Sequence, residues 1–209
     1  MSDALTWLHV DAHCIVVVKP AGLLSVPGRG AHLQDCASAR VQRRHADALI
    51  VHRLDMATSG LLLFARGAEV QRGLSRAFAQ REVEKRYVAV VDGLIANDAG
   101  EISLPLAADW PNRPRQRVDA EHGKAALTRW RVLERDTVAR TTRVQLEPVT
   151  GRSHQLRVHL LALGHPILGD ALYAAPQARA ARLLLHACRL CLAHPAGAGE
   201  LRLESAPPF

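Results

Sequence analysis

The residues best suited to chemistry lie in one polar turn, His52–Ser59 (HRLDMATS), between the apolar stretches Leu49–Val51 and Gly60–Ala65. The carboxylate of this turn, Asp55, follows Arg53, and a neighbouring opposite charge keeps a carboxylate ionised. An ionised, well-positioned aspartate can act as a nucleophile or as a base. The alternative is an Asp55 that caps the turn and pairs with Arg53. Because ordinary glycoside hydrolases use two carboxylates, a single one speaks against that reaction.

A second group of polar residues is Thr150–Arg157 (TGRSHQLR), which opens a predicted helix. The first backbone N–H groups of a helix and the positive end of its dipole attract anions. Arg152, His154 and Arg157 add positive charge, so this segment is a candidate docking point for a phosphate or a carboxylate. The alternative is a capped helix whose basic first turn is simply solvated.

A third candidate is Tyr87, which follows Lys85 and Arg86 at the start of a predicted strand. An aromatic ring beside cations can stack on a nucleic-acid base. The alternative is a tyrosine that belongs to the hydrophobic core. The residue types alone leave both interpretations open.

The segment Asp109–Gln116 (DWPNRPRQ) contains Pro111 and Pro114, and regular structure is therefore not expected there. Its arginines make it a basic loop, and Trp110 is its aromatic residue. Such a loop suits contact with a polyanion.

Metal and nucleotide motifs are missing from the sequence. The phosphate loops GxGxxG and GxxxxGK[ST], the zinc motif HExxH and the serine elbow GxSxG are not found. Cys188 and Cys191, flanked by His186 and His194, resemble half of a zinc ribbon, but a second pair is missing. Their stretch alternates as a strand does, which places residues three apart on opposite faces. We therefore expect structural cysteines and no metal site.

The elements that must position these groups follow from apolar periodicity. Apolar runs and alternation predict strands, and helical spacing predicts helices, without regular βαβ alternation. This pattern predicts an α+β fold with a mixed, largely antiparallel bent sheet flanked by helices. The predicted strands are 14–18, 49–51, 60–65, 86–91, 125–133, 141–146, 183–193 and 201–203, and the predicted helices are 33–46, 68–80 and 155–163.

The composition is that of an ordinary globular protein, with 48% hydrophobic and 22% charged residues in 209. A net charge of +7 favours a polyanionic partner such as RNA or DNA. The positive charge is almost all arginine, which suits phosphate contacts, although arginine with abundant alanine also reflects a GC-rich genome. No apolar run approaches the roughly 20 residues of a membrane span, so we expect a cytoplasmic protein without membrane contact.

Combined, these segments resemble the motifs of the RluA family of pseudouridine synthases. The matching segments occur in the family's order and cover nearly the whole chain. They are Lys19–Gly22 (KPAG), His52–Gly60 (HRLDMATSG), Lys85–Ala89 (KRYVA), Gly151–Arg157 (GRSHQLR) and His165–Asp170 (HPILGD).

The resemblance implies that a target uridine is flipped from its stack and that Asp55 acts at the glycosidic bond. Arg53 would fill the vacated space, Tyr87 would stack on the uracil, and Arg152 would hold Asp55 ionised. Since uridine and pseudouridine are isomers, no metal or organic cofactor is implied. The substrate-binding residues that the resemblance implies are Arg53, Tyr87, Arg152, Leu156, His52 and Thr58.

The loop Asp109–Arg117, together with Leu24–Gly28, is similar to one subgroup of the family. That subgroup is implied to modify both a hairpin of large-subunit ribosomal RNA and a tRNA anticodon stem-loop. We expect contacts to the RNA backbone from Arg113, Arg115, Arg117 and Arg157.

The domain organisation follows from where the motifs begin. Because they start by residue 19, we expect residues 1–209 to form a single catalytic domain without an S4 RNA-binding domain, acting as a monomer. One alternative is a non-catalytic RNA-binding or RNA-chaperone protein on the same fold. Another is a uridine-acting nuclease or glycosylase, which would need a second acid or base, or a metal cluster.

Overall fold

The computed structural model describes residues 5–175, 180–197 and 199–209. The chain divides into two compact units. The first comprises the residues as far as Lys85 together with Ala187–Pro208, and the second comprises Arg86–His186 and Phe209. The single catalytic domain expected from the motifs stays a prediction.

Strands outnumber helices among the described residues. The helices are α1 (Ala37–Gln42), α2 (Ala68–Gln80) and α3 (Gln155–Ala162), with short 3-10 turns at Ala31–Leu33 and Trp110–Asn112. The strands are β1 (Thr6–Val10), β2 (Cys14–Lys19), β3 (Ala48–Ile50), β4 (Ser59–Arg66), β5 (Glu84–Asp92), β6 (Ala99–Ser103), β7 (Leu106–Ala108), β8 (Gln116–Val118), β9 (Leu127–Asp136), β10 (Thr141–Pro148), β11 (Leu185–Ala193) and β12 (Glu200–Glu204).

In the first unit the strand order is β1–β2–β4–β11, with β3 also paired to β4 and β12 paired to β11. The pairing of β2 with β4 is antiparallel and sets Val16 opposite Leu63. Helix α2 places Leu74 and Phe78 against the core that these strands form. The predicted helix 68–80 is therefore confirmed, because its apolar residues recur at the spacing of one helical face.

In the second unit the strand order is β5–β10–β9–β6, and β7 and β8 form a separate hairpin. Helix α3 packs against β8, β9 and β10. A small apolar core joins Val158 of this helix to Leu106, Ala126 and Tyr173.

The α+β fold class is confirmed, since a mixed sheet with few helices forms the scaffold. The first helix begins later than the predicted 33–46, because Cys36 caps it by accepting the N–H of Ala39 on its sulfur at 3.4 Å, and it also ends earlier, at Gln42. The basic loop is not wholly irregular, since Trp110–Asn112 form one 3-10 turn with Pro111 in the first turn, where proline is tolerated. No helix within the described ranges has the length and apolar character needed to cross a membrane.

Candidate active site

Asp55 lies in the irregular turn between β3 and β4. Within this turn the backbone N–H of Thr58 donates to the carbonyl of Asp55 at 3.1 Å. Asp55 is partly buried, Arg53 is exposed, and Thr58 is 2% exposed. The turn therefore offers the carboxylate and the arginine to a ligand. Thr58 is buried, and its predicted contact with substrate stays a prediction.

Lys19 is the last residue of β2, and its side chain holds the turn that carries Asp55. Its side chain is fully buried, and its Nζ donates to the carbonyls of Pro20 at 2.9 Å, Leu23 at 2.7 Å and Met56 at 3.1 Å. An ammonium group has three hydrogens to donate, so these acceptors match its capacity. The residue after Asp55 is thereby fixed to the loop that follows β2. This gives the Lys19–Gly22 motif a structural role that its residue types alone did not reveal.

Ser25 holds the residue on the other side of Asp55. Its Oγ donates to the carbonyl of Leu54 at 2.7 Å and accepts the N–H of Leu54 at 3.1 Å. Both residues are buried, so these bonds satisfy polar groups that water does not reach. Asp55 is therefore flanked by two backbone anchors, one at Leu54 and one at Met56.

His52 is partly buried at the start of the same turn. Its ring stacks on Phe78 with centroids 4.6 Å apart, and its Nε2 accepts the N–H of Leu63 at 3.0 Å. Removal from water, and secondarily the charge of Lys85, lower the pKa of His52 to about 3. The ring is therefore neutral at physiological pH and carries its proton on Nδ1. These contacts support a positioning role; the predicted contact with substrate stays a prediction.

Gly60 ends the turn where β4 approaches β11. Its φ is +119°, and a Cβ built there would lie 2.3 Å from the carbonyl oxygen of Ala187. Only glycine combines this backbone conformation with such a close approach. Gly60, the last residue of the HRLDMATSG motif, is thus explained by the close approach of β4 to β11 and needs no catalytic role.

In the second unit, Tyr87 lies on β5 opposite Leu146 of β10 and is partly buried. Leu156 lies in the first turn of α3 and is 7% exposed. Arg152 precedes this helix, and its Nε donates to the carbonyl of Ala125 at 3.1 Å. The expected pairing of Arg152 with Asp55 joins residues of different units and stays a prediction.

Gln155 is a supporting residue that the sequence analysis missed. It is buried, its Nε2 donates to the carbonyl of Leu127 and to Oγ1 of Thr128, both at 3.0 Å, and its Oε1 accepts the N–H of Arg152 at 3.0 Å. The hydroxyl of Thr150 donates to the same Oε1 at 2.7 Å. One amide therefore fixes the loop that carries Arg152 onto β9.

The predicted RNA contact of Arg157 is wrong. Arg157 is 4% exposed, and its guanidinium Nε and Nη2 each donate to a carboxylate oxygen of Asp170 at 2.7 Å. A buried arginine in a bidentate pair cannot reach a phosphate, and breaking such a pair is costly. Arg157 is therefore part of the core of the second unit.

The other three predicted backbone-contact residues are exposed. The guanidinium of Arg113 lies 4.5 Å from the ring centroid of Trp110, and Arg115 donates to the carbonyl of Leu172. Arg117 pairs with Asp119 at 2.9 Å, so part of its charge is already balanced. The loop thus presents cations and one exposed aromatic ring on the surface.

Comparison with known proteins gives the family. Residues 13–162 match the family model described as RNA pseudouridylate synthase. The chain belongs to the RluA family of pseudouridine synthases. It is similar to the dual-specificity RNA pseudouridine synthase RluA of Yersinia pestis, with 54% identity over 190 residues, 90% of this chain and 92% of the relative. The protein of that name from Escherichia coli (strain K12) is 51% identical over 207 residues, 98% of this chain and 94% of the relative.

A solved structure agrees with the family assignment. Human RNA pseudouridylate synthase domain containing 1 aligns with a TM-score of 0.83 and 28% identity, covering 99% of this chain and 85% of that one. As a pseudouridine synthase, the protein is an isomerase whose substrate is RNA. The non-catalytic alternative is not favoured by these relatives.

The sequence could have indicated the supporting residues of this synthase only in part. Lys19 was marked by its motif, and its position at the end of an apolar strand hinted at burial. Ser25 binds the backbone of Leu54, 29 residues away, and Gln155 binds the backbone of Leu127, 28 residues away. Nothing in the spacing of the sequence indicated either contact.

Proposed function

We propose that this synthase modifies uridines in two kinds of RNA, a hairpin of large-subunit ribosomal RNA and a tRNA anticodon stem-loop, with Asp55 as its catalytic carboxylate. The observation that carries the catalytic assignment is the double anchoring of Asp55. Lys19 binds the carbonyl of Met56 after it, and Ser25 binds Leu54 before it. A preorganised turn of this kind places a reacting group with little reorganisation during the reaction.

The reaction is an isomerisation that balances without an oxidant or a reductant. The bond between uracil N1 and the sugar carbon C1′ breaks, and a bond between C5 and C1′ forms. The proton leaves C5, and N1 gains one. Asp55 assists the cleavage as a nucleophile or a base, and no metal or organic cofactor takes part.

The proposed substrate contacts rest on the motif matches and, for Arg53 and Tyr87, on exposure. Arg53 is exposed and two residues from Asp55, so it is placed to fill the space that a flipped base vacates. Tyr87 would stack on the flipped uracil, Leu156 would pack against it, and Arg152 would pair with Asp55. These roles rest on the motif matches and on the partial exposure of Tyr87.

The choice of two RNA classes is supported by the names of the relatives and by the basic loop. Several relatives are named dual-specificity enzymes. The exposed Arg113, Arg115 and Arg117 can bind phosphates of a compact stem-loop, whose unstacked bases are easier to reach than those of a duplex. We propose that the enzyme works as a monomer in the cytoplasm, where both RNAs occur.

The test is Asp55→Asn, which keeps the shape of the side chain and removes its charge. Tritium release from C5-labelled uridine should vanish on both stem-loops, while RNA affinity stays within about tenfold, or about 1.4 kcal/mol. Asp98→Asn is the matched control, because it removes a carboxylate that pairs with Arg135 on the surface. Substantial turnover by the Asp55 variant would refute the catalytic role. Activity on one RNA class alone would refute dual specificity and leave the catalytic role intact.

A further inference from the structure

A cluster of possible metal ligands lies in the first unit, around the turn between β1 and β2. His9, Asp11, Cys14 and His194 each offer a ligand atom, and all four atoms lie within 4.8 Å of one another. The Nε2 atoms of both histidines lie 2.8 Å from Oδ2 of Asp11, and the sulfur of Cys14 lies 3.9 Å from it. The half zinc motif visible in the sequence, at Cys188 and Cys191, shares His194 with this cluster but includes neither Asp11 nor Cys14.

The four side chains are held by regular structure on either side. Cys14 is the first residue of β2 and is fully buried. His9 lies on β1 directly after an irregularity in the register between Trp7 and His9, and such a bulge re-aims a side chain. His194 directly follows β11 and begins the turn that leads to β12.

Asp11 is oriented within this group by its own turn. Its Oδ1 accepts the backbone N–H groups of His13 and Cys14, both at 2.7 Å. This leaves Oδ2 facing both imidazole rings. Ligating carboxylates are usually fixed by hydrogen bonds of this kind, because the outer contacts orient the ligand.

We propose that His9, Asp11, Cys14 and His194 form a structural zinc site that ties the β1–β2 turn to the end of β11. Two imidazoles, a thiolate and a carboxylate are ligands that zinc takes in tetrahedral geometry. A thiolate and a carboxylate together balance the charge of Zn²⁺, so the half-buried site is neutral when filled. Four protein ligands leave no position for a substrate, which is the pattern of a structural site. On binding, the thiol of Cys14 loses its proton to solvent.

The geometry requires the cluster to adjust in both directions, since its ligand atoms are separated by 2.8 Å in the two closest pairs and lie within 4.8 Å of one another overall. Bonds of about 2.0–2.3 Å in a tetrahedron place ligand atoms roughly 3.3–3.8 Å apart. The two Nε2–Oδ2 distances of 2.8 Å must therefore lengthen by about half an ångström. A zinc ion on Nε2 of His194 leaves its proton on Nδ1, so the N–H of Ala196, 3.2 Å from Nδ1, must turn to another acceptor. Ala196 is exposed, and water can supply that acceptor.

The alternative is an Asp11-centred hydrogen-bond network that holds the same turns without a metal. The two arrangements differ in the protonation of Cys14. A hydrogen-bond network needs no thiolate, whereas the zinc site needs the sulfur of Cys14 as a thiolate ligand. Cys14 begins β2 and Lys19 ends it, a separation of roughly 17 Å along the strand. The site is thus independent of the proposed catalytic role of Asp55.

The experiment uses untagged, metal-stripped full-length protein titrated with Co²⁺ and then with Zn²⁺. One equivalent of Co²⁺ should give the visible bands of a tetrahedral site and a sulfur-to-metal charge-transfer band, and Zn²⁺ should displace it. Cys14→Ser should abolish the charge-transfer band. Loss of a residue that only orients a metal ligand weakens metal binding by about 10–100-fold. His194→Ala removes a ligand itself, so it should weaken Zn²⁺ binding by more than that. Cys188→Ser and His122→Ala, the latter at a histidine side chain that is 81% exposed, are matched controls that should bind as the parent does.

Thermal unfolding gives a second measurement, because a ligand that binds only the folded state raises the unfolding temperature. Zn²⁺ should raise it in the parent and in both controls, and not in Cys14→Ser or His194→Ala. Should the buried Cys14 variant fail to fold, His9→Gln serves the same purpose on a partly exposed strand position. Absence of one-to-one binding at micromolar metal, or a charge-transfer band that persists in Cys14→Ser, would overturn the proposal.

Discussion

Ser25→Ala is the substitution that best tests whether the anchoring of the Asp55 turn matters for catalysis. The hydroxyl of Ser25 satisfies both backbone groups of Leu54, by donating at 2.7 Å and accepting at 3.1 Å. Alanine has nearly the same shape, so the change removes two hydrogen bonds and little packing. Each buried polar group left without a partner costs about 1–3 kcal/mol, so the free energy of unfolding should fall by about 2–6 kcal/mol.

The second unit provides a closely matched control in Thr142→Val. The hydroxyl of Thr142 donates to the carbonyl of Gly93 at 2.8 Å and accepts the N–H of Ile95 at 3.0 Å. The substitution is isosteric and removes the same two kinds of bond from a buried residue of β10. Both variants should therefore lose stability by a similar amount. Only Ser25→Ala removes hydrogen bonds from Leu54, the residue next to Asp55.

The two variants should differ in turnover. A displacement of about 1 Å in a catalytic group lowers the rate by up to about 100-fold, so kcat should fall by roughly 10–100-fold in Ser25→Ala and change little in Thr142→Val. Single-turnover tritium release with enzyme in excess, at a temperature where both variants are folded, measures this difference. Equal kcat in both variants, together with equal losses of stability, would show that the anchor supports the fold and not the reaction.

Three further predictions concern the neighbouring residues. Since the pKa of His52 is lowered to about 3, the stability it contributes is complete above its unfolded pKa of about 6.5 and is lost as the pH falls toward 3. Denaturant unfolding at a series of pH values should show that the free energy of unfolding falls less steeply over that pH range in His52→Gln than in the parent. An equally steep fall in both proteins would contradict the lowered pKa of His52. Replacing Arg113, Arg115 and Arg117 with alanine should flatten the plot of log affinity against log salt by up to about 0.7–0.9 per lost phosphate contact; an unaltered slope would mean that the loop does not touch the backbone. Arg53→Ala should lower turnover on both stem-loops together, because base flipping is common to both, and a loss confined to one RNA would argue against that role.

The sequence by itself determined the local elements and the chemical centre. Helix α2 was predicted with its observed bounds because its apolar residues recur along one face. The turn that carries Asp55 was predicted because polar residues interrupt two apolar strands. The motifs also indicated the family, since they preserve residue types at fixed spacing. All of these signals lie within short stretches of chain, where spacing translates directly into geometry.

Only the tertiary structure decided which of the polar residues support the site and which belong to the core. The sequence predicted that Arg157 binds a phosphate, but in the structure it pairs with Asp170 in the interior. Lys19 binds Met56 from 37 residues away, and His194 lies against Asp11 from 183 residues away. The periodicity of a segment reveals which side of it is buried, but not which distant group will meet it there. That pairing is fixed when the strands adopt their order and register, because only then do buried polar groups acquire the partners that make their burial tolerable.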